Sequence, residues 1–109
     1  MKTEPSALIT RFIAAMNAQD SAAYLALFHP EAYVHDEGHG HQGTEQIRGW
    51  IEKAWACYQP QLVLQEVLST GENTAFLGEV SGTFPGSPIV LKHELEVKDH
   101  LITELKIAP

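Results

Sequence analysis

Asp36 and His93 are the side chains whose type and setting suit acid–base chemistry. Asp36 ends a short strand-like run, Ala32 to Asp36, in which Ala32 and Val34 share its face. That face is apolar and should look inward. A carboxylate at the end of a buried face loses solvation, which raises its proton affinity and makes it a usable base. The plain alternative is a strand-end aspartate that caps the following loop. His93 interrupts the apolar series Ile89, Leu91, Leu95 and Val97. A histidine in a buried face must be hydrogen-bonded or line a wet cavity. It can donate to a developing oxyanion or shuttle a proton. The plain alternative is a satisfied core histidine.

A second group is His35, His39 and His41, with Asp36 and Glu37 among them. Imidazole and carboxylate ligands suit zinc, nickel or iron. However, strand alternation sets His35 on the opposite face from Asp36. His39 and His41 fall in the Gly-rich stretch 37–43, which reads as a loop, and metal ligands need rigid, supported positions. No metal is expected there. Cys57 is the single cysteine, so an internal disulfide and a Cys-based zinc site are excluded. No nucleophile-elbow motif occurs. Phe12, Trp50, Trp55 and Tyr58 are core residues by spacing, and some of them would line a pocket, as aromatics do in apolar ligand sites.

These residues need elements to hold them. Leu8, Ile9, Phe12, Ile13 and Met16 form one helical stripe. Asp20 suits the N-cap of a second, shorter helix carrying Tyr24, Leu27 and Phe28, which His29-Pro30 stops. Thr44 is expected to cap the strongest helix, where Ile47, Trp50, Ile51, Ala54, Trp55 and Tyr58 repeat at helical spacing. Gln59-Pro60 ends it. Four strands follow, joined by tight turns: Leu62 to Thr70, Thr74 to Thr83, Ile89 to Lys98 and Leu101 to Ile107. Phe76, Gly78 and Val80 share one face of the second. Lys92, Glu94, Glu96 and Lys98 oppose the apolar face of the third. In the last, Leu101, Leu105 and Ile107 share a face with Thr103. Sequential hairpins imply a mainly antiparallel sheet, with three amphipathic helices on its apolar face.

The chain is 109 residues long and 44% hydrophobic, which fits one domain over 1–109. Its 14 acidic and 7 basic residues give a net charge of −7. Nucleic acid and anionic membranes repel such a surface, so neither is expected as a partner. No apolar run approaches the ~20 residues that span a bilayer, and Met1 to Pro5 lack a signal peptide's apolar block. A cytoplasmic protein is expected.

Four segments together resemble the nuclear transport factor 2-like superfamily, nearest its ketosteroid isomerase and SnoaL-like polyketide cyclase branches. They are Phe12 to Asp20, Leu27 to Ala32, Val34-His35-Asp36 and Gly43 to Ile47. The resemblance implies a cone-shaped α+β half-barrel: a curved, mainly antiparallel sheet wrapped around three helices, with a largely apolar pocket between them. It aligns Asp36 with the general base of the isomerases. The isomerases' oxyanion-hole tyrosine is replaced here by Phe12, and their protonated aspartic acid falls near His93. In ketosteroid isomerase that tyrosine and protonated aspartic acid together form the oxyanion hole. The resemblance therefore implies Asp36 and His93 as catalytic residues. Phe12, Trp50, Trp55, Phe76 and Leu91 would line the pocket. The ligand would be a small, hydrophobic carbonyl compound, with no cofactor, in a homodimer paired through the outer sheet face. That face is expected to carry Val63, Val67, Leu77, Val90 and Ile102. The alternatives are a binding module without chemistry, in which Asp36 and His93 only orient a ligand, and a domain that mainly dimerises through its sheet. A filled core with His93 tied to a backbone carbonyl would favour the structural reading.

Overall fold

The computed structural model describes residues 6–36 and 38–109. The N-terminal segment 1–5 and Glu37, a member of the His/acid group, lie outside the described residues. Helix α1 (Ala7–Ala18) starts where the Ser6 side chain accepts from the Ile9 N–H. It buries Ile9, Phe12 and Ala15 and closes on Gln19 in the left-handed conformation. Asp20 caps α2 (Ser21–Leu25) by accepting from the Ala23 N–H at 3.1 Å. This helix is shorter than its stripe suggests. Tyr24 and Leu27 are buried as the spacing predicts, but Phe28 opens strand β1 (Phe28–Asp36). Pro30 disfavours helix at His29, and Leu27 already accepts from the Ile102 N–H at 2.8 Å.

Residues 39–43 are not the loop that their composition suggests. Strand β2 (His39–Gln42) pairs antiparallel with β1, and the Asp36–His39 pair closes a two-residue connection. Gly38 takes φ +76° there, which an L side chain rarely adopts. At Gly40 a Cβ would collide with the Tyr33 hydroxyl, so glycine lets that ring lie across the hairpin. Helix α3 (Gly43–Tyr58) follows at once. Its N-cap is Gln42, not Thr44, and the Gln46 side chain reaches back to accept from the Gln42 N–H at 2.8 Å.

Strands β3 (Gln61–Ser69), β4 (Asn73–Ser81), β5 (Ile89–Lys98) and β6 (Leu101–Ala108) complete a curved, unclosed six-stranded sheet of order β2-β1-β6-β5-β4-β3. Every pair is antiparallel except β1–β6. With the three helices the sheet makes a cone-shaped α+β half-barrel. Val34, Leu105, Leu95 and Thr74 stand opposite one another across β1, β6, β5 and β4, and all are buried. This row defines the inner face.

Two bulges change which residues reach the core. Glu96 pairs with Glu104 but Val97 pairs with Ile102, which leaves Thr103 as the extra residue of β6. Alternation restarts beyond it, so Ile102 and Leu105 are both fully buried. In β3 Gln65 is an extra residue, as Leu68 is further along, and between them Val67 turns inward opposite Phe76. Ile102 and Val67 therefore leave the expected outer-face set, while Val63, Leu77 and Val90 remain in it.

Candidate functional site

One lateral row of the sheet gathers the candidate residues. His39, Asp36, Ile107, His93 and Phe76 stand opposite one another on β2, β1, β6, β5 and β4. They share the face of the buried row, two residues further along. Asp36 and His93 are thus two strands apart, about 10 Å between backbones at the usual strand spacing. Sequence alternation placed each on an apolar face, and pairing brings both faces into one row. His35 lies on the outer face, where Nε2 meets Glu104 at 3.5 Å.

Asp36 is half-buried at the end of β1. The Trp50 indole N–H of α3 donates to its Oδ2 at 3.0 Å. Trp50 stands at the half-buried edge of a helix face whose centre, Ile47, Ile51 and Trp55, is buried. Its ring stacks on His41 of β2, with centroids 5.5 Å apart and planes at 24°. His41 pairs with Val34, so the hairpin turns it inward. Sequence reasoning missed one neighbour, Tyr24. It was legible only as a stripe residue of α2, yet burial and then the charge of Asp36 drive its phenol pKa far upward. Tyr24 is a neutral O–H beside a carboxylate. Phe12, Phe28 and Trp55 hold its ring at centroid distances of 5.3, 5.1 and 5.7 Å.

His93 is 3% exposed. Its ring lies flat on Phe76, 4.6 Å away with planes at 3°, and meets Phe12 edge-on. Burial lowers its pKa to about 4, against a smaller opposing effect from the Leu91 carbonyl. Nδ1 lies 3.2 Å from that carbonyl oxygen, which can only accept. The proton of neutral His93 therefore sits on Nδ1, and Nε2 offers a lone pair. In this state Nε2 takes a proton or a hydrogen bond. It does not donate to an oxyanion.

Of the expected pocket residues, Phe12, Trp55 and Phe76 are buried, while Trp50 and Leu91 are half-buried. Trp55 also donates to the Met16 sulfur at 3.4 Å. Two surface hollows lie away from this row. One of about 180 Å³ is on the outer sheet face around Lys92, Glu94, Glu104 and Lys106. Another of about 500 Å³ lies between the start of α1 and the strand turns, around Arg11, Glu72 and His100. Neither is lined by Asp36, His93 or Tyr24. Among the described residues no three His, Cys, Asp or Glu side chains come together as a metal site. Among them no helix is long and apolar enough to cross a membrane.

Comparison with known proteins agrees with this architecture. Residues 9–105 match the family model of the SnoaL-like domain. A candidate polyketide cyclase from Sinorhizobium meliloti superposes with TM-score 0.90 at 31% identity, covering 94% of each chain. A protein from Catenulispora acidiphila with a ketosteroid isomerase-like fold, solved with trimethylamine, gives 0.85 at 19% identity, covering 97% of this chain and 87% of that one. A candidate ketosteroid isomerase from Kribbella flavida gives 0.81 at 18% identity, covering 94% and 76%. No functionally curated protein matched the chain. The match over residues 9–105, with the half-barrel just described, shows that this chain belongs to the SnoaL-like domain family of the nuclear transport factor 2-like superfamily.

Proposed function

We propose that the protein is an acid–base isomerase or cyclase acting on a small, hydrophobic carbonyl compound, without a cofactor. The observation that carries this is Asp36: an inner-face carboxylate held by the Trp50 indole, with the neutral Tyr24 phenol beside its charge. In this reading Asp36 takes the proton α to the carbonyl, and the C–H electron pair moves onto the carbonyl oxygen. The Tyr24 O–H supplies the donor that Phe12 lacks. The proton then returns from Asp36 at another carbon, or the enolate carbon attacks a second carbonyl, whose π pair moves to its oxygen and takes the proton back from Asp36. His93 accepts a hydrogen bond from a ligand hydroxyl or enol at Nε2. Phe12, Trp55, Phe76 and Leu91 supply apolar wall. The similarity to a candidate cyclase at 31% identity supports the reaction class.

The test is Asp36→Asn, assayed on a panel of small enones and β-keto esters. A positioned general base contributes roughly 10²–10⁴-fold, so turnover should fall by about that factor. The melting temperature should hold or rise, because an ionised carboxylate is costly to desolvate. A variant that unfolds, or turns over an accepted substrate unimpaired, makes Asp36 a structural cap.

One observation favours a second reading, a ligand-binding or dimerisation module without chemistry. His93 is tied to the Leu91 carbonyl and stacked on Phe76, as a core histidine would be. Binding of the same panel without turnover would select it. Two further parts of the proposal concern setting. A homodimer would form through the outer sheet face. A cytoplasmic location suits the single, exposed and unpaired Cys57.

A further inference from the structure

A side-chain hydrogen bond joins the β1–β2 hairpin to α3 at Asp36. Asp36 and His41 both stand on the inner face of the hairpin, and Trp50 reaches between them from the helix. The indole N–H is a donor only and does not titrate. Donation to a carboxylate favours the ionised form and sets the plane of the group. The imidazole of His41, near-parallel to the indole, limits rotation of that ring. We infer that Trp50 is a positioning residue: its indole N–H, held by the His41 stack, orients Asp36 and keeps it ionised for proton abstraction. This deepens the reading of Asp36 as a base and rests on it for the purpose of the device, while the device itself can be tested without a substrate.

The geometry explains why a tryptophan stands at this point of α3. A phenylalanine would fill the same edge of the stripe but would offer no donor. Other titratable groups face the pair from each packed element: Tyr24 from α2, His39 and His41 from β2, and His93 two strands away on β5. Tyr24 stays neutral over the range of a carboxylate titration. The histidines must be separated from Asp36 by variants.

The experiment follows the Trp50 indole N–H resonance by NMR from pH 7.5 to 3, together with the carboxyl carbon of Asp36. In the wild type both should move with one midpoint. In Asp36→Asn that step should vanish from the indole. A step that survives belongs to a neighbouring histidine and overturns the inference. In Trp50→Phe the Asp36 midpoint should rise, with proton affinity increasing about tenfold, the scale of one hydrogen bond to a charged group. An unchanged midpoint overturns the inference. If Trp50→Phe fails to fold, the Asp36→Asn comparison decides alone. With an accepted substrate, Trp50→Phe should also move the acid limb of kcat/KM upward. Loss of the catalytic reading would show as absent turnover with the shared titration intact. Loss of this inference would show as separate titrations in an active protein.

Discussion

Protonation at single residues decides what this inner face can do. His93 illustrates it. Its pKa falls from the ordinary 6.5 to about 4, chiefly by burial. The unfolded chain takes a proton on this residue below about pH 6.5, whereas the folded protein resists until about 4. The folded state is therefore not penalised above 6.5 and loses stability as pH falls through that window. At 1.36 kcal/mol per unit, the loss reaches about 3 kcal/mol. Urea midpoints between pH 7 and 5 should fall for the wild type. His93→Asn, whose amide can still donate toward the Leu91 carbonyl, should be weaker at pH 7 but show a flatter profile. Equal slopes in both proteins would mean that other histidines carry the acid sensitivity.

Elements hold these residues through a few cross-links between distant parts of the chain. Strand β3 is an edge strand, and an edge leaves backbone groups without a ladder partner. At Leu62 those groups are met by a side chain. Asn17, at the end of α1, donates to the Leu62 carbonyl at 2.9 Å and accepts from its N–H at 2.7 Å. The amide behaves as one rung of a neighbouring strand and ties the helix to the sheet. Asn17→Ala removes both bonds and leaves two part-buried backbone groups unmatched. At about 1 kcal/mol each, the cost should be about 2 kcal/mol in chemical denaturation. Asn17→Asp keeps the acceptor only and should lose roughly half as much near neutral pH. A loss below about 0.5 kcal/mol for Asn17→Ala would show that water replaces the amide.

At the scale of the whole molecule, the sheet's outer face is the surface without helices. It presents Val63 at 60% and Val90 at 40% exposed, on either side of Glu79 in one row. Lys92–Glu94 and Glu104–Lys106 contacts border them. Such exposed ion pairs contribute little stability by themselves but can set register across an interface. The mixed apolar and charged character suits a partner face. Light scattering at micromolar concentration should give twice the chain mass of 12.0 kDa. Val63→Glu combined with Val90→Glu should return the monomer mass with the fold retained by circular dichroism. A monomer in the wild type removes the homodimer from the proposal.

The sequence by itself determined the order of the three helices and of the five strands with apolar alternation, because apolar periodicity is local: the α1 stripe, the α3 stripe as far as Trp55, the β5 alternation and the Asp20 cap appear as read, while Tyr58, expected in the core, is 45% exposed. It also determined that Asp36 and His93 stand on apolar strand faces, and the segments around Asp36 pointed to the superfamily. Only the tertiary structure decided the rest. Which strand lies beside which is a long-range property, so the row joining Asp36, Ile107 and His93 needed the parallel β1–β6 pair. Bulges at Gln65 and Thr103 reversed the sidedness of Val67 and Ile102, since one extra residue shifts a two-residue period. The β1–β2 hairpin escaped notice because its residues are glycines and histidines with no apolar alternation, and pairing with β1 makes them a strand. The electrostatic place of Tyr24 and the donor from Trp50 to Asp36 were hidden for the same reason. Each depends on a helix crossing a strand at one point in space, and no spacing along the chain encodes that crossing.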